Sequence, residues 1–149
     1  MSYPGIRQAG IQEQVAERIG AFSEESARKW GKMNHSQVLP HLNDGLRGMM
    51  KGFKTPPSGP FQFPPLRYLL LHVMKWPEGK VEAPPGAFET ETAGLEEDRA
   101  ALLGLLDEYM KTDPETLAKT HPAFGRMKPR DWDVLVYRHL DHHLRQFSC

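Results

Sequence analysis

An all-α bundle is the fold class this sequence predicts, and three observations lead to it. Apolar residues recur at three- and four-residue spacing in separate segments. No segment alternates apolar and polar residues as a strand would, and no internal repeat occurs. Four main helices joined by long loops satisfy this pattern. The chain has 149 residues, a length suited to one domain over residues 1–149 with a sizeable buried core.

The elements follow in order. From about Arg7 to Phe22, the residues Ile11, Val15, Ile19 and Phe22 fall on one helical face. Ser23 opens a short turn leading to Trp30. Asn34 to Phe53 reads as a second amphipathic helix with Val38, Leu42, Leu46 and Met49 as its stripe. Asn34 can cap it, and Gln37 three residues later completes a capping box. Pro40 removes a backbone donor inside that helix and predicts a kink. After the loop from Thr55 to Pro60, residues Pro64 to Trp76 predict a helix with proline at its start. Its Leu-Leu-Leu-His-Val-Met run is apolar on most sides, which suits burial, and His72 within it reads as a satisfied core or edge histidine. Pro77 to Thr92, with Pro84-Pro85-Gly86, is a long loop. Leu95, Leu102, Leu106 and Tyr109 make a stripe from about Gly94 to Lys111, and Arg130 to Cys149 predicts the last helix.

Composition excludes several function classes. Nineteen acidic and nineteen basic residues give zero net charge, and no basic block stands out, which argues against nucleic acid as a main partner. The single cysteine, Cys149, is terminal, so no intrachain disulfide forms and a reducing compartment is the expectation. No charged-plus-apolar leader opens the chain, and the longest apolar run, Leu69 to Met74, is too short to span a bilayer. The expectation is a cytoplasmic protein without membrane contact, acting on a small molecule, for which a homodimer is compatible.

The last helix carries the chemistry. Trp132, Val136, Leu140 and Phe147 form its apolar stripe at about 100° per residue, and His139 and His143 sit in the middle of it. A lone histidine on a buried face is usually a core residue bonded to a backbone carbonyl. Two of them one turn apart point the same way, and their ring nitrogens can meet on one ion. Such a pair needs a third ligand, and His41, on the edge of the second helix's stripe, is the best candidate. Gly45, Gly48 and Gly52 share that edge, and each glycine inside a helix costs about 1 kcal/mol relative to alanine. They serve either close helix–helix contact or space for a ligand beside His41.

Four further residues are weighed. Asp44, three residues after His41, could orient an imidazole. Gln146, three after His143, could hydrogen-bond a ligand or a triad imidazole. His121 lies in a loop restrained by Pro122 and either packs or lines a pocket. His142 falls at the edge of the last stripe, where a surface position is favoured.

The run Trp30-Gly31-Lys32-Met33-Asn34, the following His41, the loop His121-Pro122-Ala123-Phe124-Gly125 and the ending Tyr137-Arg138-His139-Leu140-Asp141-His142-His143-Leu144-Arg145-Gln146-Phe147 resemble the DinB-like superfamily. More closely, they resemble a bacterial subfamily of uncharacterised proteins ending in HLDHHLRQF. The resemblance covers about Ile6 to Phe147 and is weakest over residues 54–92. It implies a four-helix bundle of DinB-like type whose histidine triad binds a divalent metal. By position that triad is His41, His139 and His143. Thr55 to Trp76 departs from the pattern, being richer in proline and leucine.

Three neutral imidazoles leave coordination positions open, the pattern of a catalytic rather than a structural zinc site. Imidazole suits zinc, nickel, iron and copper alike, and zinc or nickel is the leading expectation. The sequence thus supports a metal-dependent enzyme, either a hydrolase or a transferase using a low-molecular-weight thiol; the resemblance permits thiol transfer without selecting it. The alternative is a non-catalytic metal- or small-molecule-binding protein.

Overall fold

A computed structural model describes residues 2–80 and 89–149, and five α-helices dominate it. They are α1 (Ile11–Ala21), α2 (His35–Lys51), α3 (Pro64–Tyr68), α4 (Leu95–Lys111) and α5 (Pro129–Gln146). α2 packs on α4 and α5, and α1 packs on the same two. The stripes read from the sequence therefore meet in one core: Val15 and Ile19, Leu42 and Leu46, Leu102 and Leu106, Trp132 and Leu140 are all buried. No helix among the described residues is long and apolar enough to cross a membrane.

α2 starts as its sequence dictates. The Asn34 side chain accepts from the Ser36 backbone N–H, and the Gln37 side chain accepts from the Asn34 N–H at 3.0 Å. The helix runs on through the buried Pro40. α1 begins at Ile11, after a left-handed Gly10 with φ +81° that leaves Arg7 outside the helix. Its guanidinium donates to the carbonyls of Tyr109 and Thr112 at 2.7 and 2.9 Å. Those groups lie at the C-terminal end of α4, where a helix has acceptors without intrahelical donors. The expected loop from Pro77 to Thr92 lies partly outside the described residues, at 81–88.

The third helix corrects the sequence reading. A buried helix to Trp76 was the expectation, but α3 ends at Tyr68 and passes into a π turn over Leu69–Val73. The Met74 N–H donates to the Leu69 carbonyl at 2.7 Å, one residue further back than in an α-helix. Its apolar side chains mostly face outward, with Leu69 44% and Met74 52% exposed, while Leu71 and His72 turn inward. The physical reason is Arg138 of α5. Its guanidinium donates to the carbonyls of Leu70, Leu71 and Met74 at 2.6, 2.8 and 2.6 Å, taking acceptors that a continuing helix would use. The guanidinium lies between the Tyr3 and Trp76 rings, 3.8 and 4.4 Å from their centroids. A clamp from a distant helix leaves no local periodic signal.

A second difference is a short hairpin. Thr120–His121 pairs antiparallel with Gly125–Arg126. Two residues per strand are too few to show alternation in the sequence.

Replacing Arg138 with leucine should strand the Leu71 and Met74 carbonyls, while that of Leu70 keeps its bond from Trp76 Nε1 at 2.9 Å. Unpaired buried polar groups cost about 1–3 kcal/mol each, partly offset here by relaxation of an exposed turn. The expected loss is about 3 kcal/mol, read as a lower urea midpoint in equilibrium unfolding; an unchanged midpoint would mean the clamp contributes nothing.

Candidate metal centre

α2 and α5 bring the expected residues together. His139 and His143 stand one turn apart on the inner face of α5, and His41 faces them from α2. The ring centroids are 4.8 Å apart for His41–His139, 4.9 Å for His41–His143 and 5.0 Å for His139–His143. One ring nitrogen from each lies within 4.8 Å of the others. His41 Nε2 and His139 Nε2 approach to 2.9 Å. Around a tetrahedral ion with bonds of about 2.0–2.1 Å, ligand nitrogens stand roughly 3.3 Å apart. The three rings straddle that spacing, so the donor set fits one divalent ion.

Gly45 makes this approach feasible. A Cβ there would lie 3.0 Å from His139 Cε1 and 3.2 Å from its Nδ1. Close helix contact and room for the ring are one and the same at this position. Gly48 one turn on does similar service for Phe53, whose ring occupies the space a side chain would take. Phe53 in turn stacks on Trp132 at 6.4 Å. Gly52 lies beyond the helix, so the expected three-glycine edge has two working members.

Burial sets the protonation state. Desolvation, reinforced by the neighbouring His41, holds His139 well below the ordinary imidazole range. Desolvation also pushes His143 from 6.5 down to about 3, with His41 adding to it and the Gln146 bond opposing it. Both rings are therefore neutral at pH 7, the form that coordinates metal.

The weighed residues separate clearly. Gln146 is 4% exposed and accepts from His143 Nδ1 at 2.8 Å, as one reading of it required. Asp44 does not orient His41 by the bonds it makes; its carboxylate accepts from Arg47 at 3.2 Å and Thr90 at 2.6 Å. His121 packs, its ring 5.1 Å from Phe53 and 6.0 Å from Trp132. Its Nδ1 accepts from the Ala123 and Phe124 N–H groups, and burial lowers its pKa to about 4. His142 is partly buried rather than on the surface, between the Trp30 and Trp76 rings at 5.5 and 5.9 Å. His72 is a satisfied core histidine, paired with Asp131 at 2.7 Å. The sequence reading missed the role of Trp30, whose carbonyl accepts from Gln146 Nε2 at 3.0 Å. The Trp30-Gly31 run was noticed, but a backbone acceptor has no side-chain signature.

A family model described as "Protein of unknown function (DUF1569)" matches residues 10–149. No curated protein and no solved structure matches the chain.

Two outcomes follow from this geometry. Histidines held below their unfolded pKa bind fewer protons than the unfolded chain, so stability is intact above about pH 6.5 and falls as pH drops toward the folded values. For metal-free protein, the melting temperature should decline steadily from pH 6.5 to pH 4, largely through His139, His143 and His121. A flat profile over that interval would contradict their burial as neutral rings. Gly45→Ala should split two properties: helix propensity improves by up to about 1 kcal/mol, while the new methyl displaces the His139 ring. Melts in chelator should stay within a few degrees of the parent, and zinc affinity should drop on the order of tenfold. Unchanged affinity would show that the ring has room to spare.

Proposed function

We propose that this chain, which belongs to the DUF1569 family, binds one divalent metal ion through His41, His139 and His143 and uses it to bind and activate a small molecule. The observation that carries the reading is the convergence of three imidazoles from two helices within 4.8 Å, with no other metal-ligating residue type in the cluster among the described residues. Zinc or nickel suits such a donor set. The same arrangement supports membership of the DinB-like four-helix type, whose triad positions these three residues match. The ion would supply Lewis-acid polarisation at its open coordination position.

The chain's own residues favour one branch of chemistry. Among the described residues, the charges that act on His139 come from other histidines, and no carboxylate acts on His143. Asp44 is turned to Arg47 and Thr90. Coordination acidifies a bound water as well as a bound thiol, but a thiol is deprotonated outright, and a hydrolytic route gains further from a carboxylate base beside the ion. A thiol-dependent transferase is therefore the preferred reading, ahead of a hydrolase. The imidazole-only donor set among the described residues also suits non-catalytic binding of metal or a small molecule, and this stands as the second reading.

Protein purified without a histidine tag should carry a divalent metal by elemental analysis, and chelation at pH 7 should lower its melting temperature. Ligand binding to the folded state alone stabilises by about 2.7 kcal/mol at a hundredfold excess over Kd. Calorimetric titration of zinc and nickel should show binding lost in His143→Ala and largely kept in His142→Ala, because the two side chains diverge by about 100° around α5. Equal losses would overturn the assignment of ligands. Consumption of small thiols by metal-loaded protein separates the transferase from the binder.

A further inference from the structure

Gln146 is buried, at 4% exposure, in the last turn of α5. Its amide is committed at both ends. Nε2 donates to the Trp30 carbonyl at 3.0 Å, and Oε1 faces His143 Nδ1 at 2.8 Å. The two ends cannot be exchanged. A backbone carbonyl only accepts, so the amide nitrogen must face Trp30, and the oxygen must then face the imidazole. That oxygen also only accepts, so His143 Nδ1 must carry the proton. The lone pair of His143 is left on Nε2, the remaining ring nitrogen.

The Trp30 carbonyl is itself held in place. Gly31 has φ +78°, a left-handed conformation, and a Cβ there would stand 2.8 Å from Gln146 Nε2. Next to it, the Lys29 N–H donates to the Gln146 carbonyl at 2.7 Å. The strap at Lys29–Gly31 thus grips Gln146 by its backbone and its side chain.

We infer that Gln146, anchored on the Trp30 carbonyl, is a positioning residue that fixes His143 as its Nδ1–H tautomer and presents the Nε2 lone pair to the metal. The inference rests on the three-histidine reading above and extends it to residues that touch no ion. Outer-shell acceptors of this kind set the ring's tautomer and orientation, and their loss lowers metal affinity about 10–100-fold.

Three proteins test it: the parent, Gln146→Met and Gln146→Glu. Long-range proton–nitrogen NMR on the metal-free parent should find the His143 proton on Nδ1. Gln146→Met keeps the volume but removes the acceptor; the tautomer preference should vanish and zinc affinity should fall about 10–100-fold. Gln146→Glu keeps an acceptor toward His143 but sets a carboxylate oxygen against the Trp30 carbonyl. It should melt lower than the parent yet retain the Nδ1–H tautomer and bind zinc more tightly than Gln146→Met. A residue with a purely structural role would show the reverse order, with Gln146→Glu the weaker binder. A His143 proton on Nε2 in the parent, or parental zinc affinity in Gln146→Met, would overturn the inference. If the parent binds no zinc, the metal reading fails, while the tautomer measurement still decides the role of Gln146.

Discussion

The approach of α2 to α5 at Gly45 is the constraint on which the rest of the molecule depends. The backbone of α2 and the His139 ring are so close that a methyl at Gly45 would stand 3.0 Å from the imidazole. This closeness lets His41 reach across to His139, with nitrogens 2.9 Å apart. It also excludes solvent from rings that would otherwise take up protons. One turn further along, the same proximity lets Phe53 fold under Gly48 and reach Trp132. The core contact and the site are therefore two consequences of one helix–helix distance.

The ending HLDHHLRQF illustrates how little of such a segment is spare. Leu140, Leu144 and Phe147 enter the core, each no more than 2% exposed. His139 and His143 face His41. Asp141 pairs with Arg18 of α1 at 2.8 Å and with Arg145 at 2.9 Å, and Arg145 reaches on to Glu78 at 2.8 Å. Pairs this exposed add at most about 1 kcal/mol each, so they steer α1 and the segment after the π turn more than they hold them. Phe147 meets Phe22 edge to face at 5.5 Å, joining the end of α5 to the end of α1. A helix with three occupied faces gives a long, specific motif, which is why this stretch carried the resemblance.

The legible parts of the sequence were those in which one helix decides its own fate. The Asn34–Gln37 cap, the stripes of α1, α2, α4 and α5, and the phase that puts His139 and His143 together all follow from spacing along one element. His41 could be nominated from its edge position, but its distance from α5 is a tertiary fact. What stayed hidden was decided from elsewhere in the chain. Arg138 takes the carbonyls that would have prolonged α3, Arg7 reaches across to the end of α4, and a backbone carbonyl at Trp30 orients Gln146. The role of Asp44 stays open along the sequence for the same reason, since Thr90, forty-six residues away, claims one of its oxygens. Local periodicity reports which face is apolar and says nothing about which distant donor will arrive.

The disposition of the carboxylates gives the centre its chemical character. Asp44 is engaged by Arg47 and Thr90, Asp131 by His72 and the Lys128 N–H, Asp133 by Tyr109 and Arg7, and Asp141 by Arg18 and Arg145. Each is close in sequence to a triad histidine or on the same helix, yet each is bound to its own partner. On the proposed reading the ion would be held by neutral imidazoles, with no carboxylate in the cluster among the described residues. Among desolvated rings the charge of such an ion is expensive unless an anion joins it. A ligand that is anionic, or becomes so by releasing a proton on coordination, would be bound more tightly than a neutral one of the same shape. On that reading the histidines would select a metal, and these four carboxylates, engaged elsewhere, would leave the open position to an anion.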